Sequence, residues 1–209
     1  MLPLFAIGFF LLPFVVLLRG AEILNQYVEL NPWICTLAGA FFTLIILIFY
    51  FSWLWKRLKG KKKLNPRAKS QRWWIAGGLT LLYLFYGLTF ISSNNAKTKK
   101  IKSEYGELHP FLRMGVGTIA LLDRELVVTD LKRNIEDYEN MGLSKKKKSL
   151  HYPQEDGFVH AVDLRTNNRA EWRNTFLKFW FLGMGFQVHR HVGTADHLHV
   201  SIGNKKGIW

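Results

Sequence analysis

The sequence predicts three N-terminal transmembrane α-helices followed by a small α+β domain with an antiparallel sheet. Long uncharged runs fill the first 92 residues, whereas all seven histidines follow residue 93. The last part of the chain also alternates apolar and polar residues, as strands do. We therefore divide the 209 residues into a membrane region, 1–92, a polar tether, 93–104, and a domain, 105–209.

The membrane region contains three runs without a charged residue, at 1–18, 33–55 and 73–92. Each reaches the roughly 20 residues that a helix needs to cross a hydrocarbon core. Buried helices of a soluble protein are the alternative, but three such runs leave little polar surface in 92 residues. A signal peptide is a second alternative for the first run, which lacks a basic start and a small-x-small cleavage site.

The loop between the second and third runs, residues 56–72, predicts the orientation. It holds nine Lys and Arg residues and no acidic residue, so the positive-inside rule places it in the cytoplasm. The first loop, with Arg19, Glu22 and Glu29, is nearly neutral. Four lysines after the third run oppose this assignment and are outnumbered. We expect a multi-pass protein of the bacterial cytoplasmic (inner) membrane, with a cytoplasmic N-terminus and a periplasmic or extracellular C-terminal domain.

The formal net charge of +14 is compatible with nucleic acid, an anionic membrane or an anionic polymer as a partner. Because nine of the positive charges orient the membrane region, we expect the lipid bilayer and no nucleic acid. The single cysteine, Cys35, excludes an internal disulfide framework.

The C-terminal domain shows helical and alternating patterns in turn. Residues 130–148 are polar and predict a loop. The remaining patterns predict, in chain order, a helix begun near Pro110 and ending at 122, a strand at 125–129, a strand at 158–164, a helix at 170–182 and a hairpin of two strands at 186–192 and 197–202. Helices combined with such a hairpin indicate an α+β domain.

Three segments of this domain carry chemistry: SLHY at 149–152, AVDLRT at 161–166 and DHLHV at 196–200. Together they supply imidazoles and a carboxylate, the ligand set of a catalytic zinc that keeps a fourth position for water. Since side chains repeat every two residues along a strand, His197 and His199 share one face. One can bind metal while the other assists the reacting oxygen.

These segments, in this order, resemble zinc peptidases of the D-Ala-D-Ala carboxypeptidase and endolysin type, which are related to lysostaphin-type and hedgehog-like domains. Members show Ser-x-His before an Ala-x-Asp strand and close with Glu/Asp-x-x-His or His-x-His. The sequence LVVT at 126–129, followed by Arg133, is similar to the family's strand that ends in Thr four residues before an Arg. The resemblance covers roughly residues 107–203.

The resemblance implies that His151, Asp163 and His199 bind zinc (Zn2+). It implies Asp196 as the general base and Arg133 as the group that binds the substrate carboxylate or the oxyanion. His197 would then steady the tetrahedral intermediate. Between Asp196 and His197 as the principal base, the resemblance favours Asp196, and the geometry of the turn decides.

The chain departs from the family pattern near the metal. His151 and Asp163 are twelve residues apart, whereas seven separate them in the family, and Val159 occupies a glycine position. Without an insertion, Asp156 would be the ligand; we prefer His151 because SLHY matches as a unit.

Four further histidines are less specific. His189 and His191 are expected on a polar hairpin surface, with a supporting role beside the metal as the alternative. His160 is expected as an exposed strand residue and His109 as a helix-entry residue.

The resemblance implies a membrane-anchored zinc metallopeptidase that acts on peptidoglycan stem peptides by metal-activated water, as a carboxypeptidase or endopeptidase. The alternative is a catalytically inactive peptidoglycan-binding or docking subunit of a larger membrane complex, which would add other membrane subunits as partners. A transporter is poorly supported because no predicted span contains an ionisable residue.

Overall fold

A computed structural model describes residues 2–59, 66–134, 136–137, 142, 148–193 and 195–203. Within these ranges the side chains of residues 2–11, 58–59, 66 and 68–69 are not described. The chain forms two units, Met1–Tyr86 and Gly87–Trp209. The boundary falls before the predicted tether, so residues 93–104 belong to the second unit.

The first unit is helical. Helices α1 (Leu2–Val28) and α2 (Pro32–Lys59) pack on each other. Helix α3 (Pro66–Thr89) begins in this unit and ends just after its last residue, Tyr86. The Thr43 hydroxyl donates a 2.8 Å hydrogen bond to the Pro13 carbonyl. A Cβ atom on Gly39 would lie 2.6 Å from the Leu17 carbonyl oxygen, so glycine is required for the close approach of these two helices.

One helix in the described part of the chain, Pro32–Arg57, is long and apolar enough to cross a membrane, with a mean hydropathy of 2.4. It contains the second expected span, 33–55. The expected span at 1–18 lies largely outside the described side chains. The helix that holds most of 73–92 is not among the described helices that meet this criterion. Length and composition therefore support one spanning helix.

The second unit confirms a small α+β arrangement. The helices whose bounds are described are α4 (Lys99–Glu104), α5 (Pro110–Leu122) and α6 (Glu171–Gly183), with two short 3₁₀ turns at Ser93–Asn95 and Tyr105–Glu107. Its strands are β1 (Val128–Asp130), β2 (Ala161–Arg165), β3 (Gln187–His191) and β4 (His197–Ser201). The predicted helices and hairpin lie within one or two residues of these bounds. The first two strands begin three residues later than expected.

The expected tether contains regular structure. Thr98 caps α4 by accepting a hydrogen bond from the Ile101 amide. Helix α5 begins at Pro110, where a missing N–H costs nothing, and the His109 ring caps it. The expected loop was 130–148; its residues 135, 138–141 and 143–147 lie outside the described residues.

The four described strands form one antiparallel sheet in the order β1-β2-β4-β3. The last strand, β4, therefore lies between β2 and β3. Its register places His199 beside both Asp163 and His189. The predicted β3–β4 hairpin is thus present, and its second strand brings two histidines to the middle of the sheet.

The two faces of this sheet differ in chemistry. Val162 and Leu164 of β2 and Leu198 and Val200 of β4 are buried apolar residues of the core. The alternate residues of the same strands, among them Asp163 and His199, lie on the opposite face because side chains repeat every two positions. The core side is completed by buried residues of α5 and α6, including Phe111, Leu177 and Phe181.

Helix α6 has a second, unusual face. Trp172, Phe176 and Phe179 are 68%, 49% and 65% exposed. Their spacing of four and three residues puts them on one stripe of the helix. Leu177 and Phe181 on the other side are fully buried. We call Trp172, Phe176 and Phe179 the aromatic stripe.

Candidate metal centre

The structure brings His151, Asp163 and His199 together on the polar face of the sheet. His199 Nδ1 lies 2.8 Å from Asp163 Oδ1. His151 Nε2 lies 3.3 Å from His199 Nδ1 and 3.4 Å from Asp163 Oδ1. Donor atoms on a tetrahedral zinc are about 3.3 Å apart, given Zn–N bonds of about 2.0–2.1 Å. This triad could therefore hold a metal ion.

His151 reaches the triad from a turn before β2. Its Nδ1 donates a 2.6 Å hydrogen bond to the Leu131 carbonyl, and its own carbonyl accepts a 3.0 Å bond from the Arg133 amide. Because Nδ1 carries the proton, the lone pair of Nε2 faces the other two ligands. This is the tautomer that a metal ligand needs.

The Asp163 carboxylate is held in its ionised form. Burial alone would raise its pKa, but the neighbouring imidazoles of His151 and His199 and the positive charge of Arg133 together lower the pKa far below its ordinary value. Arg133 Nη2 donates to Asp163 Oδ2 over 2.7 Å, on the opposite side of the carboxylate from the imidazoles. A carboxylate in this state can bind a cation without first losing a proton.

A second triad of the same composition lies elsewhere in the unit. His160 Nε2 is 2.8 Å and His109 Nε2 is 3.7 Å from Asp156 Oδ2. Among the described residues this group too could hold a metal ion. Of the two candidates for the first ligand, His151 therefore lies beside Asp163, whereas Asp156 pairs with two other histidines.

In the second triad a backbone amide fixes the proton of one histidine on the nitrogen that faces the carboxylate. His109 Nδ1 accepts the Phe111 amide proton at 3.3 Å, so the neutral ring carries its own proton on Nε2. Burial, with a contribution from His160, lowers the pKa of His109 to about 3, which keeps the ring neutral. Its Nε2 therefore faces Asp156 with a proton and without a lone pair. His109 acts as a helix cap, in agreement with its expected place at a helix entry.

His197 lies beside the first triad. Its Nδ1 donates a 2.6 Å hydrogen bond to the Ala195 carbonyl, and its Nε2 lies 3.8 Å from Asp163 Oδ2. The His191 ring stacks on the His197 ring with 4.9 Å between centroids. His189 and His191 are exposed residues of β3, as expected for a polar hairpin surface, and they lie opposite His199 and His197. A supporting role of this pair beside the metal stays a prediction.

Asp196 is engaged away from the triad. Its Oδ2 accepts a 2.9 Å hydrogen bond from Arg190 Nη2. Its Oδ1 accepts hydrogen bonds from Arg190 Nε at 3.2 Å and from the Thr166 hydroxyl at 2.6 Å. The Arg190 and Thr166 hydrogen bonds lower the pKa of Asp196. The role of Asp196 as a base stays a prediction.

Arg133 contacts the triad through Asp163, and its Nε also donates a 2.5 Å bond to Asp130 Oδ2. Its predicted contact with substrate stays a prediction. On the other side the site is open, since the side chains of His197 and His199 are 25% and 21% exposed. The arrangement can thus offer a buried cation site with an accessible edge. No protein-family model, curated protein or solved structure gives a significant match to this chain.

Proposed function

We propose that this protein is a membrane-anchored zinc metallopeptidase that acts on peptidoglycan stem peptides, as a carboxypeptidase or endopeptidase. One observation carries the proposal: His151 Nε2, Asp163 Oδ1 and His199 Nδ1 converge within 3.4 Å of one another. Two imidazole nitrogens and a carboxylate oxygen with an open fourth position are typical of catalytic zinc sites. The substrate class follows from the resemblance of the sequence to zinc peptidases.

Each residue of the site has a defined task in this proposal. His151, Asp163 and His199 hold the ion. When bound, zinc would lower the pKa of a water molecule to about 7 and polarise the scissile carbonyl. The Leu131 carbonyl keeps His151 in the tautomer that can bind, and Arg133 donates a hydrogen bond to the ionised Asp163.

We assign the general base to His197. Its Nδ1 proton is committed to the Ala195 carbonyl, so its Nε2 is free to accept a proton on the exposed edge of the triad. Asp196, the other candidate, directs both oxygens to Arg190 and Thr166. To act as base, Asp196 would first have to leave these partners.

The proposal includes three membrane spans with the N-terminus in the cytoplasm. The helix Pro32–Arg57 and the nine basic residues of the 56–72 loop support it. Three spans place the C-terminal domain outside the bacterial cytoplasmic membrane, where wall peptides are found. The lipid bilayer and peptidoglycan peptides are then the partners.

Zinc binding is tested on the full-length chain purified in detergent. We expect about one zinc per chain by elemental analysis, and loss of zinc in His199→Ala. The matched control is His160→Ala, which removes an imidazole from the second triad and should retain zinc. A wild-type chain without zinc, or zinc lost only in His160→Ala, would contradict the proposal.

Activity is tested by incubating the same protein with muropeptides and identifying the products by mass spectrometry. Cleavage that is lost in His199→Ala supports the peptidase and names the bond. The engagement of Asp196 by Arg190 favours a second candidate, a non-catalytic peptidoglycan-binding subunit of a membrane complex. Bound zinc without any cleavage would support that candidate.

A further inference from the structure

We propose that Arg133 is a positioning residue that orients the metal ligand Asp163, in a segment whose backbone also holds His151. This inference rests on the proposed zinc site and gives Arg133 a role different from substrate binding. Arg133 follows β1 by three residues, in a segment that contacts both His151 and Asp163. The backbone of this segment contacts His151, and the Arg133 side chain contacts Asp163.

The main-chain contacts orient His151. The Arg133 amide donates to the His151 carbonyl over 3.0 Å, and the Leu131 carbonyl accepts the His151 Nδ1 proton over 2.6 Å. These two bonds link the segment after β1 to the backbone and the ring of His151. Since the ring is only 4% exposed, it has little freedom to turn its Nε2 away from the triad.

The side-chain contacts orient Asp163. The guanidinium donates from Nη2 to Asp163 Oδ2 at 2.7 Å and from Nε to Asp130 Oδ2 at 2.5 Å. Asp130 and Asp163 are neighbours in the β1–β2 register, so Arg133 bridges two carboxylates of adjacent strands. With Oδ2 taken by Arg133, the carboxylate presents Oδ1 to His151 and His199.

The same contacts restrict any role in substrate binding. The Arg133 side chain is 15% exposed, and two of its donor groups are directed to Asp130 and Asp163. A substrate carboxylate would have to compete with both of these acids. Orientation of a metal ligand by a hydrogen-bonded neighbour accounts for all of these contacts.

The test measures zinc affinity of the full-length protein by competition with a chromogenic chelator. We expect Arg133→Met to bind zinc about 10- to 100-fold more weakly, the usual effect of removing a partner of a metal ligand. Asp130→Asn should weaken zinc binding in the same direction by less, because it acts through Arg133. The adjacent Lys132→Met is the matched control; Lys132 pairs with Glu107, and its loss should leave zinc affinity unchanged.

Two further readouts separate positioning from substrate binding and from misfolding. The absorption spectrum of the cobalt-substituted protein should change in Arg133→Met and in Asp130→Asn, since both alter how Asp163 meets the ion. The KM for a stem peptide should rise no more than the KM for its C-terminal amide. If Arg133→Met fails to fold, the zinc affinity and the cobalt spectrum of Asp130→Asn decide whether the inference holds.

Unchanged zinc affinity in both variants would overturn the inference. So would a rise in KM confined to the peptide with a free carboxylate, which would return Arg133 to substrate binding. Failure of the wild-type chain to bind zinc would overturn the proposed function and this inference together. A wild type that binds zinc beside variants that bind it equally well would overturn the inference alone.

Discussion

Replacement of His197 by Gln removes the only atom of that side chain that can accept a proton and keeps an amide able to reach the Ala195 carbonyl. A positioned general base contributes about 10²- to 10⁴-fold to a rate. At about 1.36 kcal/mol for each factor of ten, the barrier should rise by about 2.7–5.4 kcal/mol. Zinc content should stay the same, because His197 is 3.8 Å from Asp163 Oδ2 and lies outside the triad.

The matched change is Asp196→Asn on the same turn. It removes one charge from the pair with Arg190 and leaves an amide oxygen that can still accept the Thr166 proton. Surface ion pairs stabilise proteins by about 0.2–1 kcal/mol, so the unfolding free energy should fall by no more than about 1 kcal/mol. If that whole amount reached the transition state, kcat would fall about fivefold.

The assay measures kcat on muropeptides, zinc content and the unfolding midpoint for both variants of the full-length chain. A loss of kcat of a hundredfold or more in His197→Gln, beside at most fivefold in Asp196→Asn, would support His197. The reverse order, with zinc retained in both proteins, would refute the reasoning and make Asp196 the base.

Three other predictions follow from the contacts of the domain. The unfolded chain takes up a proton at His109 below about pH 6.5, whereas burial lowers the pKa in the folded chain to about 3. The free energy of unfolding should therefore fall by up to about 5 kcal/mol as the pH drops between these values. The variant His109→Asn should reduce this loss, as measured by denaturant titrations at each pH. Zinc at a hundredfold excess over its Kd should stabilise the domain by about 2.7 kcal/mol, a rise in Tm that chelation reverses and His151→Ala abolishes. Trp172→Ser on the aromatic stripe should change stability by less than about 0.5 kcal/mol, whereas Phe181→Ala should cost about 3–5 kcal/mol.

Each of these has a clear contrary outcome. If the free energy of unfolding fell equally steeply with pH in His109→Asn, another group would be responsible for the sensitivity to acid. If chelation left the Tm of the zinc-loaded wild type unchanged, zinc binding would not contribute to the stability of the fold. A large destabilisation by Trp172→Ser would show that the stripe supports the fold.

Local periodicity explains what could be predicted from the sequence. Strand alternation places His199 and Leu198 on opposite faces, and helical spacing with Pro110 marks the start of α5. These features depend on residues a few positions apart, so the sequence contains them directly. The candidate ligand set came from the resemblance, which also depends on such short segments, and its role in binding metal stays a prediction.

Contacts between distant segments could not be predicted in this way. The carbonyl that sets the tautomer of His151 belongs to Leu131, twenty residues away. The Arg190 side chain crosses the hairpin to Asp196 and thereby occupies the expected base. Arg133 likewise meets Asp163 across thirty residues. Each of these depends on the register of paired strands or the course of a loop, which periodicity does not encode.

The position of β4 within the sheet determines the order in which the strands can pair while the protein is being synthesised. This strand is the last of the described strands along the chain, yet it lies between β2 and β3, and β3 has no other described partner. A growing chain can therefore pair only β1 with β2 until residues 197–201 have emerged. His199 arrives with that same strand. The candidate metal triad is thus completed only when this last described strand has been synthesised.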